Sequence, residues 1–187
     1  MLSFILMLAF TLAATVTDIR RHTIYNWTTY PGILTAYLVA LIVSMTEGDP
    51  QMAELLGEIG LADAALGMFV CGGLLLVCYV FFGIGGGDVK LLAMLGAFLG
   101  IEQGIEVVLW TLVLGGAMAL IMIVWKTGPA TLGRRFLLYM KALIRLRSFK
   151  HLRGDEPHSS ATLFLAPSAL VALIIVRLNL LQSVGLA

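Results

Sequence analysis

Six apolar stretches divide this chain of 187 residues, and they are the feature that most limits its possible folds. An apolar stretch of about 20 residues crosses a bilayer as a helix, because lipid offers its backbone no hydrogen-bond partners. The chain is 60% hydrophobic and 12% charged, whereas soluble domains hold about 25% charged residues. The sequence therefore predicts an all-α, polytopic membrane protein with about six transmembrane helices. They cover residues 2–17, 28–45, 61–83, 89–101, 105–125 and 161–181.

The longest polar stretch separates the last two predicted helices, at residues 126–160, and it is basic. Within it, a helical wheel of residues 132–149 gathers apolar side chains on one face and basic side chains on the other. We expect a basic amphipathic helix at the cytoplasmic membrane surface, where anionic headgroups attract its charged face. The alternative is a surface connector with no role in chemistry. Residues 1–187 as a whole are expected to form a single membrane-embedded domain.

Basic residues are distributed unevenly between the two sides of the membrane. Lysine and arginine are enriched in short cytoplasmic loops. If the N-terminus lies outside, the cytoplasmic loops hold every lysine and arginine except Arg177. The charged residues of the opposite loops are then all acidic. This orientation depends on the basic residues alone, yet it predicts that Asp18 and Asp88 both lie on the cytoplasmic side and can meet.

These two carboxylates stand beside apolar segments. Asp18 follows the first segment, and Asp88 follows the glycines Gly85, Gly86 and Gly87. A carboxylate at the membrane is costly and usually functional, and glycines let a backbone approach closely or accommodate an unwound peptide. Two neighbouring carboxylates cannot easily both ionise, so one serves as an acid and the other as a base. Such a pair can hydrolyse a peptide bond with water alone.

Each feature also has a simpler interpretation. Asp88 precedes an apolar helix, where aspartate is a favoured N-cap residue. Asp18 is compatible with an interfacial charge beside Arg20 and Arg21, and Lys90 with an orientation signal. A glycine run between membrane helices is compatible with a tight turn or a packing surface.

The two cysteines, Cys71 and Cys78, both lie inside the third apolar segment, seven residues apart. A structural zinc site needs closely spaced cysteine pairs. We therefore expect two reduced cysteines and no metal. The sequence holds no phosphate-binding loop of the Walker type, and we expect no cofactor and no nucleic-acid partner.

The motifs resemble those of the type IV prepilin peptidases, membrane aspartic proteases with a GxGD motif. Residues 85–88 read Gly-Gly-Gly-Asp, and residues 89–97 resemble the family's continuation of that motif. Residues 18–26 are similar to its first motif, with Tyr25 where the family usually has a proline. Residues 164–170 resemble its late motif, without the usual glycine.

This resemblance implies a prepilin leader peptidase of the compact form found with tight-adherence (Flp-type) pili. It implies an aspartic endopeptidase that cleaves prepilin or pseudopilin leaders at the cytoplasmic face of a prokaryotic inner membrane. Asp18 and Asp88 are then the catalytic pair. The residues that would position backbone or substrate are Gly85, Gly86, Gly87, Lys90, Asn26 and Pro167. We expect no methyltransferase activity, because the paired-cysteine region of the bifunctional members is missing. The oligomeric state stays open.

Two other classes use carboxylates in membranes. A small proton-coupled transporter or channel could use the same aspartates. Transporters often have a broken helix at corresponding positions of two repeated halves. This sequence has one glycine-interrupted boundary without a counterpart, which counts against a transporter. A presenilin-like protease shares the GxGD motif but pairs it with a Tyr-Asp dipeptide, which this sequence does not contain.

Overall fold

A computed structural model describes residues 2–46, 51, 55–57, 59–82, 85–127 and 165–177. Within these ranges the chain is almost entirely helical and contains no strand, which confirms the predicted all-α class. The helices used below are α1 (Leu2–Arg21), α2 (Asn26–Met45), α3 (Leu61–Phe82), α4 (Gly86–Thr127) and α5 (Leu165–Arg177).

Four helices in the described part of the chain are long and apolar enough to cross a membrane. They are Leu2–Arg21, Asn26–Met45, Leu61–Phe81 and Gly86–Met122. At about 1.5 Å per residue, the 20 residues of α1 or α2 reach about 30 Å, the thickness of a hydrocarbon core. The chain is thus a multi-pass membrane protein. Six crossings remain a prediction, and the predicted amphipathic helix at 132–149 lies outside the described residues.

Helix α4 is not one straight rod. Gly100 has φ 73° and ψ −169°, a backbone conformation that residues other than glycine rarely adopt. A methyl group added at Gly104 would lie 3.3 Å from the Cα atom of Gly96, although eight residues of a straight helix span about 12 Å. The chain therefore folds back at Gly100 into two arms, residues 86–99 and 101–127. These arms correspond to the fourth and fifth predicted segments.

The first arm of α4 is the central helix of the fold. It packs closely against α2, where Gly32 faces Met94, and against α3, where Gly67 faces Gly96. Most of its side chains are buried, which is typical of a helix surrounded by other helices. The buried ones include Leu91, Leu92, Met94, Leu95, Ala97, Phe98 and Leu99.

Around this arm, α1 packs against both α2 and α5, and α2 packs against α3. Of the described residues, those up to 115 and those from 165 to 177 belong to one compact unit, and residues 116–127 belong to another. Every contact described below belongs to the first unit. Whether the two units act as the single domain predicted from the sequence stays a prediction.

Candidate active site

Asp18 lies in the last turn of α1, which continues to Arg21, four residues beyond the predicted end. The buried face of α1 repeats at helical spacing, so this carboxylate points into the protein and is only 7% exposed. The helix ends at His22, whose φ of 52° is left-handed and whose N–H donates to the Asp18 carbonyl oxygen at 2.8 Å. Asp18 is therefore a buried helical residue rather than an interfacial charge.

The start of α5 holds the Asp18 side chain. Its carboxylate accepts a hydrogen bond from the backbone N–H of Ala166, the second residue of α5, where N–H groups have no partner within the helix. The Thr15 hydroxyl donates to the Ala166 carbonyl oxygen at 3.3 Å. Pro167 follows in the first turn of α5, where a missing N–H costs nothing. Pro167 thus helps to begin the helix that positions Asp18.

One oxygen of this carboxylate is left for other partners. Asp18 Oδ2 is buried and has no hydrogen-bond partner among the described residues. A buried polar atom without a partner is uncommon and costly, and such atoms are often found where a protein acts on water or substrate. This oxygen is therefore the part of Asp18 best placed for chemistry.

Asp88 is the third residue of α4, which begins at Gly86. Its carboxylate accepts the N–H of Gly85, and its own N–H donates to the Gly85 carbonyl oxygen at 3.1 Å. This reciprocal pairing is a form of the capping box, and the helix dipole favours a negative group there. The interpretation of Asp88 as the N-cap residue is therefore wrong by position, although the side chain does cap the helix from within its first turn.

The two carboxylates lie close enough to interact electrostatically. Asp88 is 8% exposed, much like Asp18, so both members of the pair are nearly buried. The end of α1, the start of α5 and the start of α4 meet here. The structure thus brings together the two aspartates that the loop charges predict to lie on one side of the membrane.

Two of the three glycines before Asp88 are crowded. A methyl group at Gly87 would lie 2.9 Å from Ile24 Cβ, and one at Gly85 would lie 2.9 Å from Asp88 Oδ2. A methyl at Gly86 would meet only the ring of Tyr79, at 3.8 Å, an ordinary contact. The glycine run lets the α1–α2 connection and the Asp88 carboxylate approach the start of α4.

Lys90 and Asn26 join the starts of α4 and α2. Lys90 Nζ donates to Asn26 Oδ1 at 2.7 Å and lies 5.2 Å from the centroid of the Tyr30 ring. These partners are neutral groups on α2. The bond links α4, the helix that carries Asp88, to the first residue of α2. A role of Lys90 and Asn26 in positioning stays a prediction.

Tyr25 is the N-cap residue of α2 and replaces the proline usual in the resembling motif. Its φ of −80° is within the range of proline, about −65 ± 15°. Arg21 donates to the Tyr25 hydroxyl at 3.0 Å, and this hydrogen bond lowers the pKa of the Tyr25 phenol. The departure from the family pattern therefore preserves the backbone conformation that proline would impose.

Thr11 and Thr15 were missed by the sequence reasoning. Both are buried on the face of α1 that leads to Asp18, at spacings of four and three residues. Thr11 donates to Met7 O at 2.7 Å and Thr15 to Thr11 O at 2.8 Å. That polar spacing could have revealed them. Ala166 contacts Asp18 through its backbone, for which a side-chain pattern gives no signal.

The described residues contain no group of three or more histidine, cysteine, aspartate or glutamate side chains that could hold a metal ion.

The fold and the site define a multi-pass helical membrane protein with a buried pair of carboxylates. Against known families, residues 5–120 match the type IV leader peptidase family. The chain belongs to this family. The matched region contains both Asp18 and Asp88, and membership implies a peptidase that acts on prepilins. No curated protein and no solved structure matches the chain significantly.

Proposed function

We propose that this protein is an aspartic endopeptidase that removes the leader of type IV prepilins, with Asp18 and Asp88 as its catalytic pair. The observation that carries the proposal is the meeting of these two buried carboxylates in a member of the leader peptidase family. The partner-free Oδ2 atom of Asp18 is available to a water molecule beside them.

The mechanism needs one ionised and one protonated carboxyl group. The ionised group takes a proton from a water molecule as the water oxygen attacks the scissile carbonyl carbon. The protonated group donates its proton to the carbonyl oxygen. The tetrahedral intermediate then collapses, the C–N bond breaks, and the departing amine takes up a proton. Because the two groups are coupled, the ionisation belongs to the pair and is assigned to neither residue alone.

Positioning falls to the groups around the pair. Ala166 N–H orients Asp18, and Gly85 N–H orients Asp88. The Lys90–Asn26 hydrogen bond joins the start of α4 to the start of α2, and the Ile24–Gly87 contact joins α4 to the connection that follows α1. Together they restrain the start of α4 relative to the segment that follows Asp18. Productive geometry in catalysis is sensitive to displacements of about 1 Å, so these contacts are part of the proposed machinery.

The distribution of lysine and arginine supports an active site at the cytoplasmic face of a prokaryotic inner membrane. We further propose a substrate of the Flp type, cleaved after a glycine, with no methylation of the new N-terminus. A substrate that crosses the bilayer as a helix must unwind at the scissile bond, since helical peptide groups are occupied by their own hydrogen bonds.

Co-expression with a short Flp-type prepilin tests the proposal. Loss of the leader is followed by gel mobility, and the mass of the product gives the scissile bond and the state of the new N-terminus. We expect wild-type protein to cleave and Asp88→Asn to insert into the membrane without cleaving. Cleavage by Asp88→Asn at the wild-type level would contradict the proposed mechanism, and a methylated product would contradict the peptidase-only assignment.

A further inference from the structure

A cavity of about 400 Å³ lies at the other end of the helices that carry the aspartates. Its walls come from the first turns of α1, the later half of α2, residues 56, 57 and 59, both arms of α4 near their bend, and the end of α5. The lining includes Phe4, Met7, Ala40, Phe98, Gln103 and Arg177. At this size the cavity is comparable to the pockets that bind small molecules.

Helices α1 and α5 fix the distance between this cavity and the aspartates. They run antiparallel, because Thr15 contacts Ala166 at one end and the Arg177 guanidinium lies 5.7 Å from the Phe4 ring centroid at the other. Phe4 is 14 residues before Asp18, or about 21 Å along the helix. The cavity is therefore a separate site, near the opposite surface of the membrane.

The cavity has a polar side and an apolar side. Arg177 and Gln103 are exposed, whereas Met7, Ala40 and Phe98 are buried. Among the described lining residues, Arg177 carries the charge. A ligand that fits this arrangement has an anionic group for the guanidinium and an apolar portion for the buried walls, which is the description of a phospholipid.

Charge complementarity identifies the headgroup. An arginine guanidinium presents several N–H donors in a planar fork that matches phosphate oxygens, and the Gln103 amide and the Ser3 hydroxyl add further donors on the same lining. Arg177 is also the basic residue that the orientation pattern leaves on the outer side. It is the last residue of α5, and a long basic side chain near the end of a membrane helix reaches the interface, where lipid phosphates are found.

We propose that this cavity binds one phospholipid of the leaflet opposite the aspartates, with its phosphate on Arg177 and an acyl chain along Met7, Ala40 and Phe98. Since the lipid would contact α1, α2, α4 and α5 together, it would brace the helix ends farthest from the aspartates. The inference rests on the cavity alone and does not depend on the proposed peptidase activity.

Native mass spectrometry of the full chain in detergent tests this site, with dioleoyl phosphatidylglycerol as the probe. We expect one lipid to bind more tightly than the rest. Arg177→Gln should weaken that binding at least tenfold, and Arg177→Lys should weaken it less. Arg20→Gln is the matched control, because it removes an exposed arginine from the opposite end of α1. Ala40→Leu should also weaken binding, since it fills the apolar wall without changing charge.

The outcomes separate the possible ligands. Tight binding lost in Arg177→Gln and kept in Arg20→Gln supports the phospholipid site. Equal binding in the wild type and Arg177→Gln, or equal loss in both arginine variants, overturns it. Displacement of the tight lipid by millimolar inorganic phosphate would assign the site to a free anion and also overturn the proposal. Melting temperature and size-exclusion profile report whether each variant is folded.

Discussion

Gly87 lies directly against Ile24, so that a methyl group at position 87 would be 2.9 Å from Ile24 Cβ. Ile24 is in the connection that follows Asp18, and Gly87 immediately precedes Asp88. This contact sets how closely the two catalytic candidates can approach. Real Cβ atoms do not pack at that distance, and Ile24 Cβ is attached to the backbone, so the connection or the helix must move.

We therefore expect Gly87→Ala to lower kcat/KM for prepilin cleavage by at least about tenfold, because the aspartates are displaced. Gly86→Ala is the matched neighbour, since its methyl would make only a 3.8 Å contact with Tyr79. Its loss should be several times smaller. Cleavage kinetics with purified protein measure the difference, and equal effects of the two substitutions would contradict this role of Gly87.

The Lys90–Asn26 hydrogen bond predicts energetic coupling. Lys90→Met and Asn26→Ala should each lower both stability and cleavage rate, and the double variant should lose less than the sum of the two. A bond of this kind couples its partners by about 1 kcal/mol. A double-mutant cycle, read by detergent-induced unfolding and by cleavage rate, measures the coupling. Strict additivity in both readouts would show that the bond plays no part.

The close packing of α3 against α4 predicts that alanine substitutions at two glycines of α3 have very different effects on stability. A methyl at Gly67 would collide with the backbone carbonyl oxygen of Gly96, whereas a methyl at Gly73 has no neighbour within 4 Å in the described part of the chain. Gly67→Ala should destabilise the protein by about 1–3 kcal/mol through overpacking. Gly73→Ala should be neutral or stabilising by up to about 1 kcal/mol, because alanine is the better helix former. Unfolding in mixed detergent compares them.

Tyr25 provides a test of the motif. Because its φ is already −80°, we expect Tyr25→Pro to keep the fold and the cleavage activity. Proline restricts the unfolded chain, a gain of about 0.4–1 kcal/mol, while the exposed hydrogen bond from Arg21 is lost. The net change in unfolding free energy should stay within about 1 kcal/mol. Tyr25→Phe removes only the hydroxyl and separates the two effects. Loss of folding in Tyr25→Pro would contradict the backbone interpretation.

Much of this architecture is readable from sequence, because the membrane allows few solutions. Long apolar segments predict the helices, and the distribution of lysine and arginine predicts that Asp18 and Asp88 lie on one side of the bilayer. The boundaries are less well predicted. Helix α1 runs past Asp18 to Arg21 because its hydrogen bonding continues until His22 turns the chain. Hydropathy places the end of the helix too early, because the last residues of the helix are charged.

The parts of the site that were not predicted depend on tertiary contacts. Ala166 acts through its N–H, 148 positions after Asp18 in the chain, so no local pattern identifies it. Lys90 pairs with Asn26 across two helices, and the sequence alone does not define this partner.

The most direct test of the central claim is single-turnover cleavage of a purified prepilin by the reconstituted protein and three isosteric variants. Asp18→Asn and Asp88→Asn remove one carboxylate each from the pair. Asp63→Asn removes an exposed carboxylate from the first turn of α3 and serves as the control. We expect no detectable cleavage from the first two and a wild-type rate from the third. Cleavage near the wild-type rate by Asp18→Asn or Asp88→Asn would contradict catalysis by this pair of aspartates.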